Sequence, residues 1–267
     1  MFDITSAQNP KIKKALALRD RKGRDETRQF LIEGYRELKR AIDARHPIDA
    51  LFVCPELFLK DNERALIDAI DAPKYRCSPE VFAKIAYRDR PDGLIAVAPE
   101  QRKSVADFVP KSNKAPFLLI AESIEKPGNL GTILRSADAA GVDAVIVCDP
   151  TTDIYNPNVV RSSVGTLFTV PVFEGDARAT MAMLNTHNIA IAAATPHATI
   201  EFTQADFTVP LAIVVGTEQY GLSELWMQQA TLQVRIPMFG IADSLNVASA
   251  TTLLLYEVVR QRRLLLR

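Results

Sequence analysis

No C-x-x-C pair occurs in this chain of 267 residues, whose three cysteines, Cys54, Cys77 and Cys148, stand far apart in apolar stretches. Histidine is as scarce, with only His46, His187 and His197. Those counts disfavour a zinc site and a disulfide framework, and no metal is expected. No apolar run approaches the roughly 18 residues that a membrane span needs. The leading MFDITSAQNPKIKK has no apolar stretch behind its lysines, so a secretory signal is not expected and the chain reads as cytoplasmic. Also missing are a G-x-G-x-x-G after any strand-like run and a G-x-x-x-x-G-K-[ST] loop. Their absence disfavours a nicotinamide dehydrogenase and a P-loop NTPase.

What is present suffices for two folded domains. Apolar residues make up 48% of the chain, enough for real cores, and the length fits a domain of about 100 residues plus a larger one. Net charge is zero, yet residues 1–114 hold 23 Lys+Arg against 18 Asp+Glu and residues 115–267 hold 9 against 14. Most of the basic excess lies in residues 11–28: Lys11, Lys13, Lys14, Arg19, Arg21, Lys22, Arg24 and Arg28. Such a run suits a polyanion, since each cation that neutralises a phosphate releases a counterion. A solvated helix face fits the same run equally well.

After a short basic helix, strand and helix patterns alternate. Strands are expected at 30–33, 48–54, 75–77 and 94–98, with helices at 35–44, 62–70 and 79–86, making a small α/β domain. Residues 99–116 are charged, rich in proline and read as a linker. Beyond it, strands are expected at 117–121, 144–148, 168–173, 189–194, 211–215 and 234–236. Several are continuous apolar runs, as parallel strands covered on both faces require. Helices are expected at 129–140, 159–166, 177–185, 223–229 and 244–263.

Polar residues gather where three of these strands end. In the stretch 122–141, Asn129 is a candidate helix N-cap and Arg135 points away from the apolar face of Leu130, Ile133, Leu134 and Ala137. An ordinary amphipathic helix with one exposed arginine reads the same way. In 211–224, Gly216 and Gly221 bracket Glu218 just past a buried strand. In 236–263, a loop ends at Asp243 or Ser244, either of which could cap a long helix that is apolar on a wide arc. That arc suggests a subunit interface.

In this order, N-L-G-T-I-L-R-S-A-D-A-A-G (129–141), G-T-E-Q-Y-G-L-S-E (216–224) and I-P-M…S-L-N-V-A-S-A (236–250) closely resemble the SpoU (TrmH) family of RNA ribose 2′-O-methyltransferases, of the SPOUT class. N-P-N-V-V-R-S-S-V-G (156–165) resembles that family's link between the first two motifs. Residues 30–99 resemble, more loosely, the domain often fused in front, which is similar to small ribosomal RNA-binding proteins. The resemblance implies an α/β fold: a parallel sheet with a deep trefoil knot over 115–267, and an RNA-binding domain over 1–110. It also implies S-adenosyl-L-methionine as methyl donor and a homodimer packed through the knotted region.

Carried over residue by residue, Thr195, Gly216, Ile236 and Leu245 would line the donor. Asn129, Arg135, Glu218, Ser244 and Asn246 would form the catalytic group. Lys11, Lys13, Lys14 and Arg161 would touch RNA, with ribosomal RNA expected before transfer RNA. The alternatives are a transfer-RNA 2′-O-methyltransferase, a catalytically silent RNA-binding or ribosome-assembly protein on the same fold, and a base-methylating SPOUT enzyme.

Overall fold

A computed structural model of the chain describes residues 1–110 and 114–265. Three residues of the expected linker, Lys111, Ser112 and Asn113, lie outside them. In chain order the elements are β1 (Phe2–Ile4), α1 (Pro10–Ala17), α2 (Arg21–Thr27), β2 (Gln29–Glu33), α3 (Tyr35–Asp43), β3 (Ala50–Val53), α4 (Asn62–Asp68), β4 (Lys74–Cys77), α5 (Pro79–Ile85) and β5 (Leu94–Pro99). There follow β6 (Phe117–Glu122), α6 (Pro127–Ala140), β7 (Ala144–Cys148), α7 (Pro157–Ser163), β8 (Val172–Gly175), α8 (Ala177–Thr186), β9 (Ala190–Ala194), β10 (Ile200–Glu201), β11 (Leu211–Val215), α9 (Glu224–Gln229), β12 (Leu232–Arg235) and α10 (Val247–Leu264).

The chain divides into two compact units. Met1–Gln101 with Asp153–Thr169 forms the first, and Arg102–Thr152 with Val170–Arg267 the second. The first unit holds a mixed five-stranded sheet in the order β1-β4-β3-β5-β2. Strand β1, too short to show a periodicity, pairs with β4 and was not legible in the sequence. The single basic helix expected at the start is two helices, because Leu18 to Asp20 turn between them. Their polar faces differ. Ile12, Ala15 and Leu18 enter the core, and so does Arg24, whose Nε donates to Asp153 at 2.7 Å while Nη1 donates to the carbonyls of Leu18 and Arg19. Arg24 therefore leaves the phosphate-binding cluster that the sequence suggested.

The second unit holds seven parallel strands in the order β10-β12-β9-β11-β6-β7-β8. Strands β6, β7 and β11 are buried along their whole length, as their unbroken apolar runs require. The strand expected at 168–173 forms later, at β8, because Thr166–Phe168 is a 3-10 turn. Residues 102–110 do more than link: Val105 and Phe108 belong to the core of this unit. Helix α10 packs on α6 and β11, with Ser136 and Thr252 sharing a hydroxyl hydrogen bond of 2.7 Å. Its Val247, Leu254, Leu255 and Val258 are buried within the chain itself. The wide apolar arc is thus mostly core, and Leu253, Tyr256 and Leu264 are the large apolar side chains that α10 leaves exposed.

Sheet order sets the position of the site. From β6 the chain winds outward through β7 to β8, then crosses to the other side and returns with β11 beside β6. Ligands in open α/β sheets bind at the carboxyl ends of strands around such a reversal.

Candidate active site

Strands β6 and β11 run in register, Ala121 beside Val215, so the segments that leave them begin as neighbours. Beyond β6, Pro127 opens α6 at its first position with Lys126 as the preceding cap residue. Proline suits that place because its missing N–H would have no helical partner. Asn129 is consequently not the N-cap expected from the sequence. It lies in the first turn, and its side chain is free to reach sideways.

Beyond β11, the chain doubles back through Thr217 and Gly221, whose backbones bond each other in both directions at 3.0 and 3.1 Å. Gly221 has a φ of +68°, which favours glycine. Gly216 needs to be bare for another reason, since a Cβ there would stand 2.3 Å from the Gly221 carbonyl oxygen. The exit is fixed by buried Glu122, which accepts the Ser223 N–H at 2.9 Å.

Neither Asp243 nor Ser244 caps α10. Asn246 does, its Oδ1 accepting the N–H groups of Ala248 and Ser249 at 3.0 and 3.4 Å. With Oδ1 committed, the amide nitrogen faces outward and donates to Glu218 Oε1 at 2.7 Å and to Asn129 Oδ1 at 3.1 Å. Asn129 Nδ2 in turn donates to Glu218 Oε1 at 3.1 Å. The second carboxylate oxygen, Oε2, accepts from the Lys126 ammonium.

Residues from three separate segments thus close one polar network around Glu218. The Lys126 hydrogen bond, reinforced by its charge, Asn129 and the Val247 N–H, holds the Glu218 carboxyl below the usual range. Lys126 is held above its usual range by the same contact.

Arg135 and Ser244 stand outside this network. Both are exposed, and neither side chain has a hydrogen bond or ion pair among the described residues. Gly216, Thr195 and Ile236 follow β11, β9 and β12, three neighbours in the sheet. Gly216 is buried, Thr195 and Ile236 are half-buried and Leu245 is more open.

In the first unit, Lys13 and Lys14 are exposed and Lys11 lies 4.7 Å from the centre of the Tyr75 ring. Arg161, on α7, donates to Asn158 at 3.3 Å and lines a small cavity with Leu31, Glu33, Tyr87, Pro157 and Val160. Sequence reasoning passed over Lys126 and Glu122. Glu122 ends a buried apolar strand and Lys126 lies in the loop that follows it, which was the available signal. Among the described residues no cluster of three or more His, Cys, Asp or Glu could hold a metal ion, and no helix is long and apolar enough to cross a membrane.

Comparison with known proteins gives these positions a setting. The profile of the SpoU rRNA Methylase family matches residues 116–256, and that of the MRM3-like substrate binding domain matches residues 9–96. The 23S rRNA (guanosine(2553)-2′-O)-methyltransferase RlmP of Bacillus subtilis is 29% identical over 97% of this chain and 99% of its own. A crystal structure of an RNA 2′-O ribose methyltransferase is 41% identical, with a TM-score of 0.87 over 98% of this chain and all of the other. The methyltransferase AviRb of Streptomyces viridochromogenes, in complex with AdoMet, is 28% identical, with a TM-score of 0.88 over 96% of this chain and 99% of its own. With more than half its length matched by the one profile and nearly all of it by these relatives, the chain belongs to the SpoU rRNA methylase family.

Proposed function

We propose that this protein transfers a methyl group from S-adenosylmethionine to the 2′-hydroxyl of a ribose in ribosomal (23S) RNA. The observation that carries the reading is the convergence of Asn129, Glu218 and Asn246, from three distant segments, at the carboxyl ends of β6 and β11. A relative that acts on 23S rRNA spans nearly the whole chain, which favours ribosomal over transfer RNA.

The residues present suit the donor. Gly216 offers bare backbone where any side chain would collide, and half-buried Ile236 and more open Leu245 offer apolar side chains. Thr195 completes this wall at the end of β9, its own N–H being taken by the Val234 carbonyl at 3.0 Å. The bound donor supplies an already activated methyl group, so the protein's task is to place the ribose oxygen and relieve it of its proton.

Arg135 serves that task as a cation and not as a base, and the hydroxyl proton passes to solvent water as the new C–O bond forms. A guanidinium titrates above roughly 12, so deprotonating it is costly. Exposed and unpaired, it is available to grip the adjacent phosphate and stabilise charge developing on the ribose oxygen. The Glu218 network orients the ribose, and Ser244 lies in the loop that leads into it. Holding both reactants supplies much of the remaining acceleration.

The same reading places RNA on Lys11, Lys13, Lys14 and Arg161, and divides the sequence into a substrate domain over 1–110 and a methyltransferase domain over 115–267, although residues 102–110 pack with the second compact unit and 153–169, with Arg161, belong to the first. The two matched profiles support that division. By the family resemblance the reading also includes a trefoil knot in the second domain and a cytoplasmic homodimer. Exposed Leu253 and Tyr256 on α10 are apolar surface of the kind a second copy would cover.

The test is single-turnover transfer of labelled methyl groups to 23S RNA, with mass mapping of the modified ribose. Donor binding without transfer would favour a silent RNA-binding protein instead.

A further inference from the structure

Glu218 is oriented by three side chains, of which only one is charged. Asn246 cannot rotate its amide, because Oδ1 is committed to the first turn of α10. Its nitrogen, with that of Asn129, fixes Glu218 Oε1. These contacts leave Oε2 undetermined, and an amide donor supplies no charge to balance a carboxylate. Lys126 meets that oxygen.

Lys126 is not presented by a loose loop. The preceding carbonyls of Ile124 and Glu125 accept the hydroxyls of Thr151 and Thr152 at 3.0 and 2.7 Å. Ser123 is bound through its N–H to the Cys148 carbonyl at 2.9 Å and through its hydroxyl to that of Asp149 at 3.2 Å. Pro127 fixes φ on the other side. Four hydrogen bonds and a proline therefore set the backbone from which Lys126 reaches Glu218.

We propose that Lys126 is a positioning residue for methyl transfer: its ammonium group locks the Glu218 oxygen that Asn129 and Asn246 leave free, so that the carboxylate faces the ribose in one ionised orientation. The proposal rests on the methyltransferase reading of this site. Lys126 acts through Glu218 and needs no contact with either reactant. An ordinary exposed ion pair contributes little, because water screens it and two long side chains must be ordered. Here Glu218 is already ordered by two amides and the Lys126 backbone by its anchors, so only the Lys126 side chain remains to be ordered.

Glu218 meets Lys126 from the turn before α6, Asn129 from α6, and Asn246 with the Val247 N–H from α10. Glu125 acts on Lys126 and favours its charged form. Lys126 gives the largest downward influence on the Glu218 carboxyl. Its removal therefore raises the pH at which that carboxyl gains a proton, and the acid limb of the rate profile moves upward.

The experiment compares the full-length protein with Lys126→Met, Lys126→Arg, Glu218→Gln and the Lys126→Met/Glu218→Gln double variant. Single-turnover methyl transfer is measured against pH and RNA concentration. Carbon NMR follows the Glu218 carboxyl, and calorimetry follows the donor. Lys126→Met should lower the transfer rate about tenfold, within the range that coupled neighbours show, with little change in RNA KM or donor affinity. Its acid limb and Glu218 titration should both move upward, Lys126→Arg should restore much of the rate, and Lys126→Met should cost nothing further once Glu218 is Gln.

An unmoved Glu218 titration overturns the proposal. So does a loss seen in KM alone, which would make Lys126 a phosphate contact, or an equal loss with and without Glu218. A wild-type protein that transfers no methyl group defeats the methyltransferase reading instead, and the NMR titration still reads whether Lys126 governs Glu218.

Discussion

Arg24 and Asp153, 129 residues apart in the chain, form an ion pair of 2.7 Å in which both side chains are almost wholly removed from water. Further contacts hold the pair: Arg24 also bonds the Leu18 and Arg19 carbonyls, and Asp153 accepts the Tyr155 N–H at 3.0 Å. Breaking such a pair strands a buried charge at a cost of about 3–5 kcal/mol. Arg24→Ala should therefore unfold the first unit at markedly lower denaturant, as circular dichroism would record.

The exposed lysines before Arg24 separate two readings of the basic run. Removing one lysine–phosphate interaction reduces the log–log salt slope of RNA affinity by about 0.7 to 0.9. Replacing exposed Lys13 and Lys14 by alanine should flatten that slope and leave stability within about 0.5 kcal/mol. An unchanged slope in filter-binding titrations would return the helix to plain solvated surface.

Arg135→Ala should leave donor binding and stability close to wild type, because Arg135 is exposed and has no partner among the described residues. Methyl transfer should fall by about 10²-fold or more. Arg135→Lys should rescue poorly, since lysine lacks the planar two-pronged grip on phosphate. Near-normal transfer by the alanine variant in a single-turnover assay would refute this role.

Gly216→Ala tests the donor wall. A methyl group there has to displace the Gly221 carbonyl, which sits 2.3 Å from the Cβ position. Donor affinity should drop by an order of magnitude or more in calorimetry, whereas Ala248→Gly, a small change on α10, should leave it nearly intact.

A pH effect is expected in the first unit. Burial pushes the carboxyls of Glu33 and Glu37 upward, against the backbone N–H groups of Tyr87 and Arg88 for Glu33 and the Arg88 charge for Glu37. Glu37 Oε2 has no hydrogen-bond partner among the described residues. A raised carboxyl favours the folded state while protonated. That contribution is full below the unfolded value and lost as pH rises through the folded one. Chemical denaturation across mildly acidic to neutral pH should show this decline, and Glu37→Gln should flatten it.

The parallel sheet of the second unit was legible because β6, β7 and β11 are unbroken apolar runs, and its polar strand ends marked the site. Local pattern failed where long-range contacts decide. Arg24 carries the same charge as its neighbours, and nothing within reach of residue 24 announces Asp153. Asn246 was outcompeted as a cap by Asp243 and Ser244, which serve equally well on propensity, until the path of the loop chose between them. Lys126 looked like one more surface lysine because its partner is 92 residues away.

The spacing of that polar network also has a kinetic side. Asn246 follows Asn129 by 117 residues, and at about 5–20 residues per second its synthesis trails by roughly 6–23 seconds. Glu218 emerges 28 residues before Asn246, so until then Asn129 and Lys126 can meet the carboxylate but not the amide that completes the network. Contacts so distant in sequence form slowly, because a long loop must close before any bond rewards it. A nascent chain can thus hold a folded N-terminal unit for seconds while the second unit still has no assembled centre, so competence to methylate is the last property the polypeptide gains.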